Sequence, residues 1–250
     1  MAGYSTFPAL VLREAKYKES DRIVTLLSAE HGLLTAKAQG ALRKTSKLGA
    51  STQQLTYSEI TVYENAGKIR IREASVLEPF TGLRTDFSNY ALACYFADCV
   101  DRLISEDEAN EQVLQLTLNC LYALSNALHD PLKIKAAFEL RLMCILGYEP
   151  DLSRCSVCAK EMPEEPTFGF TSGHICCRSC RNADIGITDY LCPESLKAMR
   201  HICLSRPKQI LSFDLSKEAQ RRLSIACEDY LLRQTDRRFA TLDYWKKVRI

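Results

Sequence analysis

Lys-Ile-Arg-Ile-Arg-Glu-Ala-Ser-Val, residues 68–76, alternates strictly over its first five positions. A period of two puts Ile69 and Ile71 on one face and Lys68, Arg70 and Arg72 on the other, the pattern of a β-strand with one buried face and one wet, basic face. Four more runs rich in β-branched and aromatic residues precede it: Phe7–Arg13, Arg22–Ser28, Leu33–Ala38 and Leu55–Tyr63. His31-Gly32 and Ala66-Gly67 supply turns between consecutive runs, where glycine takes positive φ without penalty.

Five strands within residues 1–80 suit a small closed barrel, because closure removes exposed sheet edges. The five-stranded OB-fold is the common nucleic-acid-binding form of such a barrel. From Leu83 to Gly147 the period becomes helical. Tyr90, Cys94, Ala97, Asp101 and Ile104 make one stripe, widened by Leu92, Tyr95, Phe96, Cys99 and Leu103. Asp130-Pro131 reads as N-cap and first helical residue of a further helix that stops at Gly147. Three more helical stretches follow Cys192-Pro193, at about 193–204, 216–233 and 237–248, the second opening on Ser216 as N-cap. The class expected is α+β and multidomain.

With 46% hydrophobic and 26% charged residues, the chain can bury a core, which excludes disordered and fibrous classes. Its net charge of +2 hides a polarity: residues 1–80 hold 11 basic and 8 acidic side chains, residues 81–150 hold 5 and 10, and residues 151–250 hold 17 and 13. The sign changes near Glu78-Pro79 and Glu149-Pro150, two helix-breaking steps that are natural boundaries. Residues 1–30 show neither the apolar core nor the cleavage site of a secretory leader, and nowhere do 18 apolar residues run together. A soluble, cytoplasmic protein with reduced thiols and no membrane partner is the expectation.

The twelve cysteines then sort into two kinds. In RCSVCAKEMPEEPTFGFTSGHICCRSC, residues 154–180, Cys155/Cys158 and Cys177/Cys180 form two C-x2-C pairs with 18 residues between them, the spacing of a four-thiolate zinc site. A full thiolate shell makes such a zinc structural, since catalytic zinc keeps a position for water. Cys176 and His174 are alternative ligands on spacing alone. The zinc-deaminase pattern is absent: Arg154 precedes Cys155, and no H-x-E occurs. Cys94, Cys99, Cys120, Cys144, Cys203 and Cys227 fall among apolar neighbours and read as small core hydrophobes.

No phosphate loop, dinucleotide fingerprint, nucleophile elbow or H-E-x-x-H motif is present, and the four histidines have no evident catalytic partner, so no enzymatic activity is expected. Glu106-Asp107-Glu108 and Glu164-Glu165 read as loop charge. Cations instead gather on the first segment. Lys37, Arg43, Lys44 and Lys47 cluster across the third strand and its following loop, and Arg13, Lys16, Lys18 and Arg22 around the first turn. They suit a phosphate backbone, or else a merely solvated surface; charge alone does not choose. Tyr17, Tyr57 and Tyr63 are either stacking platforms for unpaired bases or barrel packing. A zinc-containing RNA-binding or transcription-associated factor on the same barrel is the alternative reading, and a metal-dependent nuclease would need an open metal site that four thiolates do not offer.

Residues 8–55, PALVLREAKYKESDRIVTLLSAEHGLLTAKAQGALRKTSKLGASTQQL, resemble the N-terminal region of the RecO family of bacterial DNA-repair and recombination mediators. Cys155–Cys180 occupies the position of the zinc finger found in many members, and EDYLLRQTDRRFATLDYW, residues 228–245, is similar to their helical C-terminus. The resemblance implies an OB-fold over 1–80 and an all-α domain over 81–250, with a zinc finger inserted at 151–184 and holding one structural Zn2+ on Cys155, Cys158, Cys177 and Cys180. It also implies binding of single- and double-stranded DNA, ATP-independent annealing, and loading of recombinase with RecR and the acidic tail of the single-stranded DNA-binding protein, in the nucleoid. The DNA-binding residues expected are Arg13, Lys16, Arg22, Lys37, Arg43, Lys44 and Lys47. Gln39, Ala159 and His174 depart from the family pattern, standing where a basic residue, a Gly and a Gly are common.

Overall fold

The computed structural model describes residues 3–105, 110–181 and 188–249. Glu106-Asp107-Glu108 and the end of the expected zinc segment, 182–184, lie outside them. Five strands close a barrel: β1 Gly3–Tyr17, β2 Asp21–Ser28, β3 Gly32–Ala38, β4 Tyr57–Asn65 and β5 Lys68–Glu78, in the order β1-β2-β3-β5-β4. β1 is longer than the apolar run Phe7–Arg13 because it has two partners. Its first half pairs with β4 and its second with β2, and a bulge between Val11 and Arg13 turns it from one to the other. β3 meets β5 in parallel, Lys37 opposite Arg70, which completes closure. The expected OB-fold is therefore the fold observed.

Alternation decides what fills the barrel. Phe7, Ala9, Val11, Val24, Leu26, Ala36, Ala38, Ile60, Val62 and Ile71 form its core, and Ile69 packs against it half-buried. Lys68, Arg70 and Arg72 are exposed, as a period of two requires.

Two compact units divide the chain at places composition did not mark. Residues 1–125 and 239–250 make one, and 126–238 the other. The first holds the barrel, α1 Phe87–Leu103, α2 Glu111–Ser125 and a later helix (α6), Ala240–Val248. Asp86 caps α1 by accepting from the Asn89 N–H. The buried face of α1 is centred on Leu92, Tyr95, Phe96 and Cys99, while Tyr90, Cys94 and Asp101 of the expected stripe are half-exposed. Against α1 lies α6, with Phe239, Leu242 and Trp245 buried and Thr241 donating to Asp98 at 2.7 Å.

In the second unit α3, Pro131–Ile145, starts at the expected Asp130 cap and ends at Gly147, φ 87°. The Gly147 and Tyr148 N–H groups bond the Cys144 and Met143 carbonyls, a Schellman closure. Lys135 is wholly buried between Glu139 and Glu228, at 3.0 and 2.9 Å. The unit also holds α4, Pro193–Leu204, and α5, Lys217–Thr235, whose Ser216 cap accepts from Ala219. A small sheet of β6 Thr167–Gly169, β7 Ile175–Cys176 and β8 Thr188–Tyr190 carries the cysteine segment. No helix among the described residues is long and apolar enough to cross a membrane.

Candidate nucleic-acid interface and metal centre

Residues 39–56 link β3 to β4 as a chain of tight turns, and charged groups at the start of β2 pin them to the barrel. Asp21 is buried; its carboxylate accepts from Lys37 Nζ at 2.7 Å and from the Gly40 N–H at 2.8 Å. The hydrogen bond from Lys37, then that from Gly40, hold its pKa below the ordinary carboxylate value. Arg22 is also buried. Its Nη1 reaches Glu14 Oε2 at 3.0 Å, Thr52 Oγ1 at 3.0 Å and the Gly49 carbonyl at 3.2 Å. Gly40 has φ 69°, a left-handed backbone that glycine takes without strain, so glycine suits this close turn.

The seven expected cations thus occupy different settings. Arg43, Lys44 and Lys47 stand exposed on the pinned loop, and Lys16 is exposed opposite Arg22 on β1. Lys37 is half-buried and ion-paired, its ammonium 5.2 Å from the centre of the exposed Tyr17 ring, which Lys18 also approaches at 5.6 Å. Arg22 is inside the framework. Arg13 is exposed in a separate cleft of about 240 Å³ lined by Asp98 and Asp101. Tyr57 is half-buried, and burial raises its pKa.

Sequence reasoning missed part of this surface. Tyr4, 69% exposed, lies 5.0 Å from Tyr63, and the Arg72 guanidinium covers Tyr63 at 5.2 Å. Only the β1–β4 register, Tyr4 opposite Tyr63, brings these rings together; nothing local in the sequence announces it. Asp21 and Glu14, the counter-charges that shape the loop, gave no signal for the same reason.

The four expected cysteines, Cys155, Cys158, Cys177 and Cys180, converge with all sulfurs within 4.8 Å of one another. Cys158 and Cys177 sulfurs are 3.8 Å apart. Metal–sulfur bonds of about 2.3 Å give a tetrahedron edges of about 3.8 Å, so the donor set fits a zinc-sized ion. Burial works against a Cys155 thiolate, but N–H groups of Cys158, Cys177 and Val157 outweigh it and lower its pKa to about 6. Cys176 Sγ instead faces Thr167 Oγ1 at 2.9 Å, since neighbours on an extended chain point opposite ways. His174 lies against Asp151, 4.0 Å away, outside the four-sulfur group. Ala159 adopts φ 60°, a left-handed backbone that glycine would take without strain.

Two sets of contacts seat this knuckle in its unit. Arg200 of α4 donates to the Leu152, Ser153 and Glu161 carbonyls. On α5, Gln234 donates to the Phe170 and Thr171 carbonyls, while Tyr230 packs on Phe168 and donates to the Tyr148 carbonyl.

Family models described as Recombination protein O N terminal and Recombination protein O C terminal match residues 1–80 and 84–243. The chain belongs to the RecO family. The DNA repair protein RecO of Acetivibrio thermocellus is 30% identical over 98% of this chain and 97% of that protein. RecO of Heliobacterium modesticaldum is 34% identical over 81% of this chain and 74% of its own length, and that of Symbiobacterium thermophilum 27% over 96% of each. Within the RecO C-terminal match, Phe87, Tyr90, Ala91, Cys94, Ala240 and Tyr244 line an apolar groove of about 410 Å³ between α1 and α6. Phe87 and Tyr244 are 62% and 50% exposed, and the exposed Arg84 and Lys247 lie one turn beyond them on α1's approach and on α6.

Proposed function

We propose that the chain is a recombination mediator that binds single- and double-stranded DNA on its barrel and anneals complementary strands without ATP. What carries this reading is the pinned 39–56 loop: three exposed cations, Arg43, Lys44 and Lys47, on a backbone already held by the Asp21 and Arg22 networks. A preorganised loop loses little freedom on binding, so phosphate neutralisation is not offset by ordering. Lys16 and Lys37 extend the patch, and Arg22 shapes the loop from beneath. Arg13, beside acidic groups of α1, contributes least. Tyr17 and the Tyr4–Tyr63–Arg72 stack offer faces for unpaired bases. One strand held on this surface stays open to pair with a second, a step needing no nucleotide hydrolysis.

The four thiolates of Cys155, Cys158, Cys177 and Cys180 would hold one structural zinc, which supplies a fixed crosslink and no chemistry. Metal analysis of chelator-free protein is expected to find one zinc per chain. Much less than one, or a stable, metal-replete Cys155→Ser/Cys180→Ser variant, refutes the assignment.

In the cytoplasm, on nucleoid DNA, the protein would act with RecR to load recombinase onto strands coated with single-stranded DNA-binding protein. We place that protein's acidic, aromatic-ending tail in the α1–α6 groove, its ring against the Phe87–Tyr244 pair and its carboxylates toward Arg84 and Lys247. Titration calorimetry with the tail peptide tests this; an unchanged affinity in Tyr244→Asp would move the site elsewhere. The deciding experiment is annealing of coated complementary oligonucleotides without ATP. No acceleration over the uncatalysed rate overturns the mediator reading, and tighter binding of matched RNA than DNA would favour the RNA-binding alternative.

A further inference from the structure

Outside the four-cysteine group, one pair of cysteines among the described residues stands in sulfur-to-sulfur contact. Cys144 on the last turn of α3 and Cys203 on the last turn of α4 have their Sγ atoms 3.6 Å apart. Their backbones are held in that relation: Arg141, one turn before Cys144, donates from Nη1 to the Cys203 carbonyl. The two thiols are not equivalent. Cys144 is half-exposed, whereas Cys203 is 8% exposed. The hydrogen bond with Cys203 lowers the Cys144 pKa, with the Arg141 guanidinium assisting, while that contact and burial raise the Cys203 pKa. A third thiol, Cys227 on α5, is wholly buried and held protonated by that burial.

A reactive dithiol requires two sulfurs held in contact, the less buried one to meet the oxidant and the other to complete the reaction, and this pair has that geometry. We propose that Cys144 and Cys203 form an oxidisable pair that closes to a disulfide when the protein meets hydrogen peroxide. The Cys144 thiolate attacks one peroxide oxygen and the O–O bond breaks. The released hydroxide takes a proton and leaves as water, so Cys144 becomes a sulfenic acid. Cys203 sulfur then attacks the Cys144 sulfur and the S–O bond breaks. The departing hydroxide takes the Cys203 proton and leaves as a second water. Two thiols and one peroxide give one disulfide and two waters, and a small dithiol reductant reverses the change.

Disulfide formation brings the sulfurs from 3.6 Å to about 2.0 Å. The new bond would encircle residues 145–202, which contain the whole four-cysteine knuckle. It would tie the base of that segment whether or not metal is present.

The test uses the full, metal-loaded chain. It is exposed to a small excess of hydrogen peroxide, alkylated with N-ethylmaleimide, and mapped by mass spectrometry without reduction. The expected product is a peptide pair joined through Cys144 and Cys203, removed by dithiothreitol, with zinc still bound. Cys203→Ser is expected to halt at a Cys144 sulfenic acid trapped by dimedone, and Cys144→Ser to yield neither product. Alkylation of both residues after peroxide, or release of zinc before any Cys144–Cys203 bond forms, overturns the proposal. So does a folded Cys203→Ser protein that does not trap dimedone.

Discussion

Replacing Arg43 and Lys44 together by alanine tests the loop where its assignment is most exposed. Both side chains point to solvent, and neither is in an ion pair among the described residues, so their loss should leave the barrel intact. Binding to a single strand releases about 0.7 counterion per phosphate neutralised. The exposed Lys16, Arg43, Lys44 and Lys47 therefore give a slope of log affinity against log salt of about −2.8. Between 50 and 200 mM salt that is roughly a fifty-fold loss of affinity. Removing two of the four brings the slope to about −1.4 and the loss to roughly seven-fold. The change in slope, about 1.4, holds even if further cations such as Arg70 take part, because each contributes separately. Fluorescence anisotropy with a labelled oligonucleotide across a salt series reads it directly. An unchanged slope in a variant with an unaltered circular dichroism spectrum would show that the strand does not pass over this loop.

Three further outcomes follow from particular contacts. Ala159→Gly relieves a left-handed alanine, so zinc competition with a chelator should show affinity rising by about 0.5–1 kcal/mol, roughly two- to five-fold; no change means the knuckle does not feel the strain. Asp21, with its folded pKa held below 3.8, adds stability that is present above that pH and lost as pH falls through the folded value. Asp21→Asn should therefore lower thermal stability at neutral pH and differ progressively less from the parent below about pH 4; a constant difference down to pH 2 contradicts the pairing with Lys37. Lys135→Met removes the cation that Glu139 and Glu228 share, at a cost of about 3–5 kcal/mol. Amide exchange in α3 should speed by roughly a hundred- to several-thousand-fold, and an increase below ten-fold would mean the carboxylates find other partners.

Much of the architecture was legible because local periodicity and tertiary burial agree. The alternation of Lys68–Arg72 becomes the inward Ile71 and outward cations of β5, and Asp130-Pro131 and Gly147 bound α3 as their backbone preferences require. The four-cysteine group was equally readable, since its sulfurs sit in two short knuckles whose spacing is itself the geometry. What stayed hidden depends on contacts between residues distant in sequence. Arg22 counted as a surface cation until the folded loop brought Thr52 and Gly49 onto its guanidinium. Tyr4 carries no meaning without the register that sets it beside Tyr63. The spacing of 59 residues between Cys144 and Cys203 likewise concealed a sulfur contact that only two helix ends could make.

The discontinuity of the first compact unit bears on how the chain is made. Phe239, Leu242 and Trp245 cover α1, yet they are synthesised after every residue of the second unit. The edge-on contact of Tyr95 with the Phe239 ring therefore forms only after that interval. During translation the barrel strands can pair early, while the helical layer beside them keeps an uncovered apolar face. That interval is when a nascent chain is most open to chaperones and to misassociation, and residues 239–248 act as the late-arriving lid that ends it.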